Sequence, residues 1–395
     1  MSQKGAKLQV VTWRVSRFYR SGVTNAPALP PPAIEQPAPR QVSYGVITGR
    51  AARGTRKVVV SANGRILAAK PLRGRRFSVR VALPVGDVRV RVTTIASGGR
   101  RSSRLVRDVY GLPAAARPRV VRAREDTILR RELRKLALEY SGTSGMYVQS
   151  LTGGTGAAWN ARARFPAAST LKLGIAATVL AAYTGVPAPG SRIDGLLREM
   201  LIPSDDAAAN ALLVWLGGST SAGGHRVNGL MRSLGLVDSI MYGGYEVRTP
   251  SGRIPVRVEQ QPTFGVGKYT TAWDLASLWR AVWLASGSRG RLRSAQPGFT
   301  PADGRYLLWL LGHVDDTPKL DRYVGKRPGV AVLHKAGWIT SARHDTGLVF
   351  WRGGVFVATV MTWSARGVGR SSDLLAGRVA ATAHERFRTA ARRRA

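Results

Sequence analysis

The sequence predicts an α/β (α+β) domain that follows a small all-β sandwich. Between residues 41 and 111, apolar residues recur at every second position in short runs, as they do in half-buried strands. Beyond Arg124, helical and strand patterns alternate, which is typical of mixed α/β domains. The length of 395 residues allows two or three domains. We therefore expect three regions, namely residues 1–40, 41–112 and 121–395.

Residues 1–40 are expected to form a disordered arm that is both basic and rich in proline. Six prolines lie between Pro27 and Pro39, and this density favours extended polyproline II over helix or sheet. No apolar stretch with a following cleavage site is readable near Met1, so the arm carries no recognisable export signal. The longest apolar run, 173–186, is shorter than the roughly 20 residues of a membrane-spanning helix. We expect no membrane span.

Residues 41–112 are expected to form the sandwich. Asn63 and Gly64 separate two strand-like runs, and this residue pair favours the type I′ turn of a β-hairpin. Further along, valines alternate with arginines, as Val88, Val90 and Val92 do with Arg89 and Arg91. The alternation places valine in the core and arginine in solvent. The expected sandwich resembles the immunoglobulin-like accessory modules of bacterial surface proteins.

The chain carries a large excess of positive charge. It has 61 Lys and Arg against 22 Asp and Glu, which gives a net charge of +39. Residues 1–124 contribute 26 − 3 = +23 and residues 125–395 contribute 35 − 19 = +16. The arginine-rich module either docks to a polyanion such as teichoic acid or nucleic acid, or is a solubilising surface. Nucleic acid is the less favoured partner, because the module has only three aromatic residues that could stack on bases, Tyr44, Phe77 and Tyr110.

The composition also restricts the chemistry of the chain. It contains no cysteine, which excludes a thiol nucleophile and a thiolate zinc site. The five histidines are dispersed without the spacing of metal ligands, so we expect no metal site, and no cofactor is implied. Covalent chemistry would have to use Ser, Thr, Lys or a carboxylate.

One serine and one lysine have a spacing that suits nucleophilic catalysis. Ser169 and Lys172 open an Ala-rich apolar helix, with Ser169 expected in its first turn. Residues at i and i+3 share one face of a helix, so the lysine amine can take the serine proton. The alternative is that Ser169 is an ordinary N-cap.

Two further motifs follow in the chain, Ser204-Asp205-Asp206 before a helix and His334-Lys335-Ala336-Gly337 at the end of an apolar strand. Taken in order, the three motifs resemble the S-x-x-K, S-D-N and K-T-G elements of penicillin-recognising serine hydrolases, and class A β-lactamases above all. The resemblance covers about residues 125–392. It implies an antiparallel sheet flanked by helices, a helical lobe, and an active site between lobe and sheet.

The resemblance also implies a role for each motif residue. Ser169 would be the nucleophile and Lys172 its general base, while Ser204 would relay a proton to the leaving nitrogen. Lys335 would pair with the substrate carboxylate, and Gly337 would let the substrate approach the strand. The peptide N–H groups of Ser169 and Trp338 match the oxyanion hole of the family.

The sequence departs from the family pattern at several positions. Asp206 stands where the family has Asn, and it could pair with Lys172 and raise the pKa of that amine. Ala336 replaces the family's Thr. The E-P-x-x-N pattern that supplies the deacylation base is missing. Glu246 or Glu259 could serve instead, and the alternative is that both are solvated loop charges.

The leading expectation is a class A-like serine hydrolase that forms an acyl-enzyme with β-lactams or D-Ala-type amides. One alternative is a D,D-peptidase or slow penicillin-binding hydrolase that acts on peptidoglycan. Another is a non-catalytic protein that binds the cell envelope or a polyanion and retains the fold. The resemblance implies an extracytoplasmic or cell-envelope location, where peptidoglycan is found.

Overall fold

The computed structural model describes residues 28–245 and 267–392. Eight strands come first, and helices then alternate with strands as far as the end of the described chain. This arrangement confirms the predicted fold class, a mixed α/β fold preceded by an all-β region. None of the helices in the described ranges combines the length and the apolarity needed to cross a membrane.

The all-β region consists of two sheets. One has the strand order β1-β3-β6 and the other the order β2-β8-β7-β4-β5. Asn63 and Gly64 join β4 to β5 with φ angles of 48° and 86°, as a type I′ turn requires. The strands are β1 Ala33–Gln36, β2 Gln41–Ser43, β3 Val46–Arg50, β4 Thr55–Ala62, β5 Arg65–Pro71, β6 Arg76–Arg80, β7 Gly86–Ala96 and β8 Arg101–Gly111.

A single apolar core joins the two sheets into a sandwich. Ile47 from one sheet and Val60 and Val90 from the other belong to the same buried cluster. On β7, the valines at 88, 90 and 92 are buried and the arginines at 89 and 91 are exposed. The expected separation of valine from arginine is therefore confirmed.

The expectation that residues 1–40 are unstructured is wrong for residues 33–36, which form β1. This strand pairs antiparallel with β3, where Ile34 lies opposite Gly49. A side chain at Gly49 would lie 2.2 Å from the Ala33 carbonyl oxygen, so glycine permits the close approach of the two strands. Because β1 is an edge strand, one of its sides needs no hydrogen-bonded neighbour, and the flanking prolines are tolerated.

The second part of the chain is built on a six-stranded sheet with the order β14-β15-β16-β10-β11-β9, and on a two-stranded ladder of β12 and β13. The large sheet is antiparallel except for its short edge strand β9. Its elements are β9 Arg124–Glu125, α1 Thr127–Leu138, β10 Thr143–Ser150, β11 Thr155–Trp159, β12 Phe165–Pro166, α2 Lys172–Tyr183, α3 Arg192–Leu201, α4 Asp206–Gly217, α5 Thr220–Ser233, β13 Tyr269–Thr270, α6 Ala272–Ser286, α7 Arg291–Ala295, α8 Pro301–Leu311, β14 Ala331–Ile339, β15 Ala342–Trp351, β16 Gly354–Trp363 and α9 Arg370–Arg392.

Helices cover both faces of this sheet. On one face, α1 and α9 bury leucine and valine side chains such as Leu129 and Val379. On the other face, α2, α6 and α8 form a larger core around Leu173, Trp279 and Leu308. Burial of helices on two faces of a sheet is the packing expected for an α/β layer architecture.

The sandwich is packed onto the second part rather than tethered to it. Val42 and Tyr44 from the sandwich belong to the same buried cluster as α6 and α8. The Tyr44 hydroxyl lies 3.2 Å from the Ser286 hydroxyl at the end of α6, and Arg40 forms an ion pair with Asp194 at the start of α3. The two parts therefore share both apolar and polar contacts.

Candidate active site

Ser169 lies in a short 3₁₀ turn, Ala168–Leu171, immediately before α2. The expectation that it occupies the first turn of the α-helix therefore needs a small correction. The Lys172 peptide N–H donates to the Ser169 carbonyl, so both residues belong to one helical turn. The turn is entered through Ala168 at a φ of 45°, a left-handed conformation that is costly without glycine. Leu171 is the N-cap of α2, so the alternative that Ser169 caps this helix is wrong.

Lys172 is wholly buried, and its amine contacts the second motif directly. The Nζ donates to the Ser204 carbonyl oxygen at 2.5 Å, to the Ser204 Oγ at 3.3 Å and to the Asp206 Oδ1 at 2.5 Å. Asp206 itself remains about one-third exposed, at 33%. The pairing of Asp206 with Lys172 that the sequence suggested is therefore present.

Ser204 is positioned for this contact because another residue caps α4. The Asp205 carboxylate accepts from the Ala208 N–H at 2.6 Å, so Asp205 is the N-cap of this helix. Ser204 has a φ of 67°, and this left-handed turn directs both its carbonyl and its hydroxyl toward Lys172.

Lys335 reaches the same serine from β14. Its Nζ donates to the Ser204 Oγ at 2.8 Å and to the Ala336 carbonyl at 3.2 Å. The Ser204 hydroxyl oxygen thus accepts from two lysines that are 0% and 1% exposed. Burial, with the neighbouring Lys172 charge, lowers the pKa of Lys335 to about 7, because both disfavour the ammonium form.

Gly337 places β14 against the Ser169 turn. A side chain there would lie 2.7 Å from the Ser169 nitrogen and 2.9 Å from the Thr170 nitrogen. The absence of a side chain at Gly337 therefore makes room for the Ser169 turn. The sequence had suggested only that Gly337 makes room for a substrate. The next residue, Trp338, has a side chain that is 63% exposed.

The structure adds three residues that the sequence reasoning did not assign to the site. Tyr245 is buried, and its ring centroid lies 4.7 Å from the Lys172 amine and 4.6 Å from the Lys268 amine. The Asn210 side chain donates to the Tyr245 carbonyl and accepts from its N–H, at 2.7 and 2.6 Å. Asn210 lies one turn beyond Asp206 on α4, a spacing that could have suggested it, whereas no local pattern pointed to Tyr245 or Lys268.

Electrostatics keep the Tyr245 phenol neutral. Burial, reinforced by the Asp206 charge, raises the pKa of Tyr245 well above its ordinary value. The hydroxyl donates to the Ala168 carbonyl at 3.3 Å. Burial lowers the pKa of Lys268, whose amine also donates to the Gly244 carbonyl at 2.6 Å. Tyr245 therefore fills the space beside Lys172 with a neutral aromatic ring.

A buried pair behind β14 supports the position of Lys335. The His334 Nδ1 lies 2.9 Å from the Asp345 Oδ1, and the other carboxylate oxygen accepts from the Leu320 N–H at 3.0 Å. Burial alone would lower the pKa of His334, but the Asp345 carboxylate outweighs burial and raises it. The pair thus joins β14 and β15 to the loop between α8 and β14, and it does so at the residue that precedes Lys335.

The sequence matches the model of the β-lactamase enzyme family over residues 128–184 and 188–387, which is more than half of the chain. The chain belongs to the β-lactamase enzyme family. No curated protein matches it in sequence.

Solved structures of two kinds share the fold of this β-lactamase-family protein. PBP-A is 19% identical with a TM-score of 0.53, and the match covers 69% of this chain and 100% of PBP-A. An ancestral class A β-lactamase (GNCA) is 20% identical with a TM-score of 0.52, over 66% and 100% of the two chains. The class A β-lactamase from Mycobacterium abscessus is 18% identical with a TM-score of 0.52, over 66% and 99%.

The proposed deacylation bases of this family member are not among the residues that the structure describes. Glu246 and Glu259 both lie in 246–266, outside those residues. Tyr245 is the last described residue before them. The assignment of either glutamate as a base stays a prediction.

Proposed function

We propose that this protein is a serine hydrolase that forms an acyl-enzyme with β-lactams or related D-Ala-type amides. The observation that carries the proposal is the Ser204 hydroxyl, which accepts from two buried lysines. One of them, Lys172, lies in the same helical turn as Ser169, and the other, Lys335, lies on β14. A buried ammonium group is costly unless it is paired. Two lysine amines that contact one hydroxyl form a hydrogen-bonded path along which a proton can move. A variant of PBP-A, whose fold this chain shares, is seen as an acyl-enzyme complex with penicillin G.

In this proposal, Ser169 and Lys172 carry out acylation. The neutral Lys172 amine takes the Ser169 proton as the serine oxygen bonds to the substrate carbonyl carbon. The peptide N–H groups of Ser169 and Trp338 receive the resulting oxyanion, and the close packing of Gly337 on the Ser169 turn supports their convergence.

Ser204 passes on the proton that the leaving group needs in order to depart. The proton passes from Lys172 by way of the Ser204 hydroxyl to the leaving nitrogen as the carbon–nitrogen bond breaks. Protonated Lys335 holds the substrate carboxylate meanwhile. The product is an ester on Ser169, which water must then cleave.

The test is intact-mass spectrometry after incubation with benzylpenicillin. The wild-type chain should gain the mass of the drug, and the Ser169→Ala variant should not. Labelling of the Ala variant would contradict the assignment of the nucleophile. No labelling of a folded wild-type chain would favour the alternative of a non-catalytic binding protein, which the close Asp206–Lys172 pair also supports because it stabilises the ammonium form.

Tyr245 favours a second candidate, a slow penicillin-binding hydrolase or D,D-peptidase, over a fast β-lactamase. The Tyr245 phenol is neutral and is therefore no base at neutral pH. If no other group assists the water, deacylation lacks a general base, which is worth about 10² to 10⁴ in rate. Stopped-flow hydrolysis of a chromogenic β-lactam should then give a burst followed by a slow steady state. A linear trace with fast turnover would instead indicate a working base, to be sought with Glu246→Gln and Glu259→Gln separately.

A further inference from the structure

The residues between β8 and β9, 112–123, form a connecting segment. A cavity of about 300 Å³ lies where the sandwich, this connecting segment and the second part of the chain meet. None of its lining residues belongs to the Ser169 site. Ser43 lines it from the sandwich and Arg117 from the connection, while Ser288 and Arg289, after the end of α6, and Arg305 on α8 complete it. Its volume is at the lower end of the range for small-molecule pockets, roughly 300 to 1,000 Å³.

The charge in this cavity has one sign. Three of its lining residues are arginines, and none of the described residues that line it is Asp or Glu. Burial, together with the like charge of nearby Arg80, lowers the pKa of Arg117. Burial also lowers the pKa of Arg305, although electrostatic interactions with Tyr44 and Asp303 oppose that shift. Two of the three arginines are therefore held where burial disfavours their charge.

The protein partners of these arginines are mostly neutral. Arg305 donates to the Gln41 side chain at 2.8 Å and to the Ser286 carbonyl at 3.2 Å. Arg117 donates to the Tyr44 carbonyl at 3.4 and 3.3 Å. Carbonyl oxygens fix the direction of a guanidinium, but they carry no net charge. The end of α6 adds only about half a negative charge, which is less than the charge of the three arginines.

We propose that this junction cavity binds a small oxyanion, namely a molecule with a phosphate or carboxylate group. Guanidinium groups pair with such oxyanions through two parallel hydrogen bonds, and the hydroxyls of Ser43 and Ser288 add neutral donors. The ligand contacts the sandwich and the second part of the chain together. Its binding therefore holds the two parts in one arrangement.

Thermal unfolding of the full-length chain tests the proposal, with sodium pyrophosphate and sodium citrate as probes and sodium chloride at equal ionic strength as the reference. A ligand that binds only the folded state raises Tm. We expect a rise with one or both probes, and the larger rise identifies phosphate or carboxylate as the preferred group. No rise above sodium chloride with either probe would overturn the proposal.

Matched arginine variants separate a built site from the general basicity of the chain. Arg289→Gln, at an exposed position of the cavity, should remove most of the rise, and isothermal titration should show at least tenfold weaker binding. Arg131→Gln, on the exposed face of α1, removes the same charge and should leave the rise unchanged. Equal rises in both variants would mean non-specific anion binding and would overturn the proposal. Arg117→Gln repeats the test from the connecting segment.

Discussion

In the sandwich, Arg89 and Arg91 lie on the solvent face of β7, whereas Lys172 and Lys335 in the candidate active site are almost wholly buried. The solvent-facing positions of these arginines follow from strand periodicity alone. The lysines are held by oxygen atoms of Ser204 and Asp206, at distances of 2.5 to 3.3 Å. The same formal charge is thus placed in two very different environments.

The difference matters because, of these two cationic residues, only lysine can lose its proton in a protein. An exposed arginine keeps its charge, and it acts on other molecules through a field that salt screens. A buried lysine has partners that decide its protonation state, so it can move protons during a reaction. The substitutions below should therefore have large effects at the site and small ones in the sandwich.

Replacing Lys172 with Arg should have the largest effect. The guanidinium keeps the charge but cannot act as a base, so the second-order acylation rate should fall by about 10² to 10⁴. Mass spectrometry of benzylpenicillin labelling over time measures it. Lys135→Arg makes the same exchange at an exposed position of α1 and should leave the rate unchanged. Normal acylation of folded Lys172→Arg would remove Lys172 from the mechanism.

Asp206→Asn should change acylation in the opposite direction. It restores the amide expected from the family pattern and removes a carboxylate that favours the ammonium form of Lys172. A shift of one pKa unit would change the neutral fraction about tenfold, and we expect an increase of about that size with a chromogenic cephalosporin. Asp205→Asn is the control, because Asn caps a helix as well as Asp does. Unchanged or slower acylation would show that the Asp206 carboxylate assists the reaction.

The pH profile tests the role of Lys335. Its pKa is lowered to about 7, so the ammonium that holds a substrate carboxylate is present below pH 7 and is lost as the pH rises above it. The value of kcat/KM for acylation by a carboxylate-bearing β-lactam should fall on the alkaline side of about pH 7. Lys335→Arg should remove this falling limb. A limb that persists in the Arg variant would assign it to another group.

The arginine face of the sandwich should have the smallest effect on catalysis. We propose that it docks to a polyanion, and Arg89→Gln with Arg91→Gln should lower the salt concentration needed to elute the chain from a heparin column. The acylation rate should stay within about twofold, since exposed charges are screened within about 10 Å at 0.1 M salt. Removal of two arginines from α1, Arg131→Gln with Arg134→Gln, is the matched control. Equal elution of the two double variants would support the solubilising interpretation.

Much of the fold could be predicted because its signals are local. The alternation of valine and arginine placed β7 correctly, and Asn63-Gly64 placed the β4–β5 hairpin, since both depend on neighbouring residues. Residues 33–36 were missed because their proline-rich surroundings favour an extended free chain. Pairing with β3 and a place at the sheet edge outweigh that local preference.

The candidate active site, too, could be predicted in part from local patterns and in part could not. The residues Ser169, Lys172 and Ser204 were predicted as site residues from short motifs with a known order. The backbone turn decides that Asp205 rather than Ser204 caps α4, because either of two adjacent residues of this kind can cap a helix. Asn210 and Tyr245 were missed because their contact joins residues 35 positions apart.

The strand and helix periodicity, the surplus of arginine and the order of the three motifs can all be read from the amino-acid sequence. Each of these depends on residues that are close together in the chain. Tertiary folding, in contrast, places Ser204 between Lys172 and Lys335, since the second contact spans 131 positions. It also decided that Tyr245 covers Lys172 and that the sandwich packs on α6 and α8. Such contacts follow from the burial of apolar surface by the whole chain, and no local pattern specifies them.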